Sequence, residues 1–124
     1  IMYDTIMTAI ANLRKTNIGV LCHYPMVRLI ADWSLLNEQE KTFASNPLTH
    51  VDFLIYNTLT KQPLRAIEVD GWHFHKDNEV QQSRDALKDM ILAKFGLCPR
   101  RISTTDTVTV ETMMNLIGKT IDFS

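Results

Sequence analysis

The segment Val51-Asp52-Phe53-Leu54-Ile55-Tyr56-Asn57-Thr58-Leu59-Thr60-Lys61-Gln62-Pro63-Leu64-Arg65-Ala66-Ile67-Glu68-Val69-Asp70 decides the fold. Two runs rich in branched and aromatic residues, Val51 to Tyr56 and Leu64 to about Trp72, flank a turn-rich stretch from Asn57 to Pro63. That pattern predicts an antiparallel hairpin. A loop centred near Thr60-Lys61 sets Asp52 opposite the Glu68 to Asp70 region, with directly opposed side chains about 5 Å apart. Alternation along the strand puts Glu68 and Asp70 on one face, about 6 to 7 Å apart, and turns Ile67 and Val69 to the other. Three carboxylates therefore converge at one end of the hairpin.

Acids are disfavoured inside strands, and these interrupt otherwise apolar runs. Three uncompensated negative charges at such distances repel by an amount comparable to a domain's stability margin when dried, so the arrangement asks for a cation or for solvent. Mg²⁺, or Mn²⁺ in its place, suits hard oxygen ligands and one or two carboxylates, keeps several waters and leaves room for a phosphate. The alternative is a set of unrelated strand-end acids, one of them paired with Arg65 or Arg84.

Working outward, Met2, Ile6, Ala9, Ile10 and Leu13 recur at helical spacing and predict a helix over residues 2–15, stopped at Asn17-Ile18-Gly19. Val20 to Ile30 is strand-like, with Pro25 marking an edge strand or a break into two pieces. Asn37 to Asn46 predicts a short exposed helix ending before Pro47. A long helix begins near Asn78, capped by that side chain with Gln81 three residues on, and presents Val80, Leu87, Ile91 and Phe95. Gly96 ends it, Leu97 to Ile102 forms a fourth strand, and a last helix from about Thr109 presents Val110, Met113, Met114, Ile117 and Ile121. The order implies an α/β domain, a mixed central sheet of about four strands flanked by helices, with the long helix as crossover between the third and fourth strands.

At 124 residues and 45% hydrophobic content, residues 1–124 fit a single domain with one core. No apolar run approaches the ~18 residues needed to span a bilayer and no signal-peptide pattern opens the chain, so a soluble, cytoplasmic domain without membrane association is expected. Ile1-Met2 already belong to the first helix, which suggests excision from a larger protein. Cys22 and Cys98 lack metal or disulfide spacing and are expected as core thiols. With 13 Lys+Arg against 14 Asp+Glu, the net charge of −1 does not by itself advertise nucleic-acid binding. Local basic groups remain at Lys61 with Arg65, Arg84 with Lys88, and Arg100-Arg101, each of which is equally consistent with solvated surface.

Val51-Asp52-Phe53, Ala66-Ile67-Glu68-Val69-Asp70-Gly71, Phe74-His75, and Arg84-Asp85 with Lys88-Asp89 together resemble the PD-(D/E)XK nuclease superfamily, with its restriction-endonuclease-like core. In particular, they are similar to the small nuclease-like domains at the C-terminal end of some superfamily-one helicase proteins. The resemblance implies a metal-dependent endonuclease that hydrolyses nucleic-acid phosphodiesters, DNA ahead of RNA, beside helicase domains of its parent chain. It implies Asp52 and Glu68 as ligands of Mg²⁺ or Mn²⁺, with the peptide carbonyl of Val69 completing the protein's share. Where the signature carries lysine, two positions after Glu68, this chain has Asp70, which would tune or extend the site. Related families move the lysine to the following helix, where Lys88 stands. The other reading of Lys88 is an exposed residue interacting with Asp85 or Asp89. A rival to catalysis is a module that retains the fold for nucleic-acid docking or for packing on a helicase.

His75 matches the family's histidine after the acidic strand and would position water or contact phosphate, or else fix the turn before the long helix. His73 is expected at the surface. The two do not make a zinc centre, which needs three or four converging ligands. Arg84 is expected to bind nucleic acid. Asp4 is explained by the dipole of the first helix, and Trp33 and Trp72 by core or interface packing.

Overall fold

The computed structural model describes residues 2–12, 17–70 and 79–103. The Asn78 cap, Trp72, His73, His75 and the expected last helix lie outside the described residues, as does the side chain of Asp70.

Asn57 builds the turn that closes the hairpin. Its Oδ1 accepts from the amides of Leu59 at 2.9 Å and Thr60 at 3.1 Å, and its carbonyl accepts from the Lys61 amide at 2.8 Å. Lys61 takes a left-handed φ of 65°, and the Asn57 amide then donates to the Gln62 carbonyl at 2.9 Å. The chain thus reverses between β2 (His50–Asn57) and β3 (Pro63–Asp70).

Around the hairpin stand α1 (Met2–Asn12), β1 (Ile18–Pro25), α2 (Glu38–Ser45), α3 (Glu79–Lys94) and β4 (Arg100–Ser103). The four strands lie in chain order, β1-β2-β3-β4. β2 runs antiparallel to both β1 and β3, and β4 is parallel to β3 because α3 carries the chain back across the sheet. The result is the expected mixed sheet flanked by helices.

Strand alternation divides the core between the two faces of the sheet. Ile55, Ile67, Val20 and Ile102 meet Ile6, Ala9 and Ile10 of α1. Leu54 and Ala66 look the other way, toward Ile91 and Leu92 of α3 and toward Met26 and Leu29, which form a 3₁₀ turn after β1. Each such Ile or Leu, fully buried, contributes about 1.5 to 3 kcal/mol.

Several expectations are corrected. The strand-like run does not extend to Ile30: β1 is the edge strand that Pro25 marks, but it ends there, and the residues to Leu29 turn, because proline supplies no ladder donor. Cys22 and Cys98 are exposed, the first on edge strand β1 and the second in the connection between α3 and β4. Val80 is 70% exposed, because the first half of α3 borders a cleft and only its second half reaches the core. The short helix α2, expected as an exposed element, is capped by Asn37 with a reciprocal Glu40 bond, and it buries Glu40 and Ala44. Among the described residues, no helix is long and apolar enough to cross a membrane.

Candidate functional site

The ladder between β2 and β3 stops at the Phe53–Ile67 pair. Beyond it, each acid side chain takes the amide of the opposite strand. Glu68 Oε2 accepts from the Asp52 amide at 3.3 Å, and Asp52 Oδ2 accepts from the Val69 amide at 2.8 Å. Separation of the strands would leave these donors unpaired, and the carboxylates satisfy them. The same register continues in both directions. Cys22 faces Phe53 and Tyr24 faces Val51, so His23 falls opposite Asp52, while Glu68 pairs with Arg101 on β4. One rung of the sheet thus crosses four ionisable residues: His23, Asp52, Glu68 and Arg101.

From above this rung, α3 sorts its charges. Arg101 Nη2 and Nε hold the Asp89 carboxylate at 2.6 and 3.1 Å, and Nη1 lies 3.8 Å from Asp85. Lys88 is turned inward instead. Its Nζ donates to Glu68 Oε1 at 3.0 Å and to the His50 carbonyl at 2.8 Å. Of the two placements that the sequence allows for Lys88, the inward one is present.

Glu68 is 3% exposed, and burial pushes its carboxyl up to about 7. The ammonium of Lys88 opposes that rise, whereas Asp52 adds to it both by like charge and by accepting a hydrogen bond from the protonated form. Two carboxyls this close require either a shared proton or a cation. The donors are hard oxygens on rigid strands, so the pair fits Mg²⁺ or Mn²⁺ by chemistry.

Next to the rung opens a cleft bordered by Phe43, His50, Gln81, Arg84, Asp85 and Lys88. Arg84 is exposed there, its guanidinium 6.0 Å from the Phe43 ring centre. The cleft thus carries the cations Arg84 and Lys88 beside Asp85, and Lys88 links it to Glu68.

A family model described as "Protein of unknown function (DUF2726)" matches residues 2–121. The chain belongs to that family. No curated protein and no solved structure matches it. The matched span contains the whole rung, the cleft and all of the described secondary structure.

The structure gathers Asp52, Glu68 and Lys88 from β2, β3 and α3, and places Arg84 one turn from Lys88 on the cleft side. Val69 adjoins the pair and commits its amide to Asp52. Asp4 lies exposed on α1, across the sheet from Lys88. His75 and the Asp70 side chain lie outside the described residues. Sequence reasoning missed His23 and His50. His50 could have been found, because alternation puts it on the Asp52 face of β2. His23 depends on the β1–β2 register, for which the sequence carries no marker.

Proposed function

We propose that this chain is a metal-dependent nuclease-like domain that hydrolyses nucleic-acid phosphodiesters, DNA ahead of RNA, and works beside helicase domains of its parent protein. The observation that carries this reading is the contact of Lys88 with buried Glu68 beside Asp52, an acid, acid and cation set drawn from three different elements. Asp52 and Glu68 would hold Mg²⁺ or Mn²⁺, with the Val69 carbonyl completing the set that the family resemblance implies. The metal supplies an activated water and neutralises phosphate charge. Lys88 holds its ammonium at the cleft wall, where it stabilises charge that grows on the attacked phosphate. Arg84 holds the backbone of the strand to be cut. Asp70, at the position of the signature lysine, supports a second reading, in which the fold docks nucleic acid or packs on a helicase without cutting.

The test is Mn²⁺-supported cleavage of single- and double-stranded DNA and RNA by the domain within its parent protein. Cutting by the wild type and a loss of ~10² to 10³ in rate for Lys88→Ala are expected. Undiminished cutting by Lys88→Ala removes that residue from the chemistry. A wild type that binds nucleic acid but cuts none of these substrates favours the docking reading.

A further inference from the structure

Two histidines stand beside Asp52 that the chemistry above leaves unused. His23 comes from edge strand β1 and His50 from the start of β2, and with Asp52 each offers one ligand atom, all within 4.8 Å of one another. His50 Nε2 lies 3.7 Å from Asp52 Oδ1, and the two imidazoles meet edge to face with centroids 5.0 Å apart. The other Asp52 oxygen is tied to the Val69 amide, which orients the carboxylate and leaves Oδ1 for the histidines.

The orientation of His50 is that of a metal ligand. Its Nδ1 lies 3.0 Å from the Leu48 carbonyl, an oxygen that only accepts, so the ring proton sits on Nδ1. In the neutral ring, Nε2 then keeps its lone pair and stands 3.7 Å from a carboxylate oxygen, an approach that either a proton on Nε2 or a cation between them satisfies. A backbone carbonyl on the far nitrogen is also the usual support that fixes a ligating histidine. His23, for its part, holds a left-handed φ of 49° within a strand, a conformation rare for residues other than glycine. Its side chain stands nevertheless at the rung shared with Asp52.

Two imidazoles and one carboxylate suit borderline cations of the zinc class, whereas Mg²⁺ prefers oxygen alone. Ligand atoms around tetrahedral zinc lie about 3.3 Å apart, so the 3.7 Å separation of His50 and Asp52 needs a small adjustment, and the set as a whole, within 4.8 Å, has to draw in around the ion. We propose that His23, His50 and Asp52 form a three-ligand site for a Zn²⁺-class cation, its remaining position open to water or to a phosphate oxygen from the cleft. It shares Asp52 with the hard-cation pair and is otherwise independent of the nuclease reading. His50 connects the two, since its ring belongs to this site and its carbonyl accepts from Lys88.

The test is Co²⁺ absorption spectroscopy with Zn²⁺ competition on the full chain, in a Cys22→Ser, Cys98→Ser background that removes both thiols. Wild type in that background is expected to take up one Co²⁺ with the visible bands of a four- or five-coordinate ion and to release it to Zn²⁺. His23→Gly, which suits the left-handed backbone, and His50→Ala should each weaken uptake by at least about 100-fold, beyond the effect of losing an outer partner of a ligand. Glu68→Gln should keep Co²⁺ uptake while losing any stabilisation by Mg²⁺, so failure of the hard-cation reading leaves this one standing. Absence of Co²⁺ uptake by folded wild type, or uptake undiminished in both histidine variants, overturns the proposal.

Discussion

Glu68 stands between a cation and an anion while only 3% exposed, and its protonation sets a pH dependence. Its carboxyl titrates near 7 in the folded chain, against an ordinary value of 4.5, with burial as the leading cause. Between these values the native state keeps a proton that the unfolded chain has released, so metal-free stability should fall as pH rises across this window and level off above about 7. The shift corresponds to something on the order of 3 kcal/mol. Urea midpoints of metal-free protein from about pH 4.5 to about pH 8 should show this slope, and Glu68→Gln should flatten it and be at least as stable as wild type at the alkaline end. A loss of several kcal/mol in Glu68→Gln would mean that the ion pair with Lys88 outweighs the relief of crowding. At this scale the acids were legible, since a carboxylate inside an apolar strand is conspicuous and the hairpin fixes what it faces. Lys88 was legible only as one of two placements. The choice between them depended on Arg101, which occupies Asp85 and Asp89 from a strand whose register the sequence does not mark.

Among the elements, α2 and α3 are joined by a second lysine, Lys94, which stands at the surface. Lys94 Nζ donates to Glu40 Oε1 at 2.7 Å, and the same oxygen accepts from the Asn37 amide at 2.8 Å. The Glu40 carboxyl is covered from water yet shallow, and the bonds from Lys94 and then from Asn37 hold it below the usual glutamate range. Stability from this pair is present above the ordinary glutamate pKa and is lost as pH falls through the lowered value. Lys94→Met should therefore lower the thermal midpoint near neutral pH, with the difference from wild type shrinking under strongly acid conditions. Equal midpoints at neutral pH would show that the cap alone sustains α2. Along α3, helical periodicity correctly marked Leu87, Ile91 and Phe95 but also promised a buried Val80. Periodicity reports which residues share a face, not how far the neighbouring layer extends beneath it, and the cleft lies under the first turns. Ile91→Ala should cost about 2 to 5 kcal/mol, whereas Val80→Ser should stay within about 0.5 kcal/mol; denaturant unfolding of both variants distinguishes them.

For the molecule as a whole, element order sufficed for the sheet. A turn of Asn57, Lys61 and Pro63 dictates the antiparallel pair, and a helix of α3's length between strands dictates a parallel return. The division of charge across the molecule was not visible, because a net charge of −1 conceals the sorting of Lys88 and Arg84 to one cleft. If that cleft takes the backbone of a nucleic acid, affinity must depend on salt despite the neutral total, because binding releases the counterions of each phosphate that is contacted. Arg84 is exposed and lies one turn before Lys88, so Arg84→Ala should weaken binding about equally across sequences and reduce the slope of log affinity against log salt by about 1. It should leave thermal stability within about 0.5 kcal/mol, since the 6.0 Å approach to Phe43 lies at the outer limit of a cation–π contact. Fluorescence anisotropy with labelled oligonucleotides over a series of salt concentrations measures both slopes. A slope unchanged in folded Arg84→Ala would place the phosphate contacts elsewhere on the molecule and detach the cleft from nucleic-acid binding.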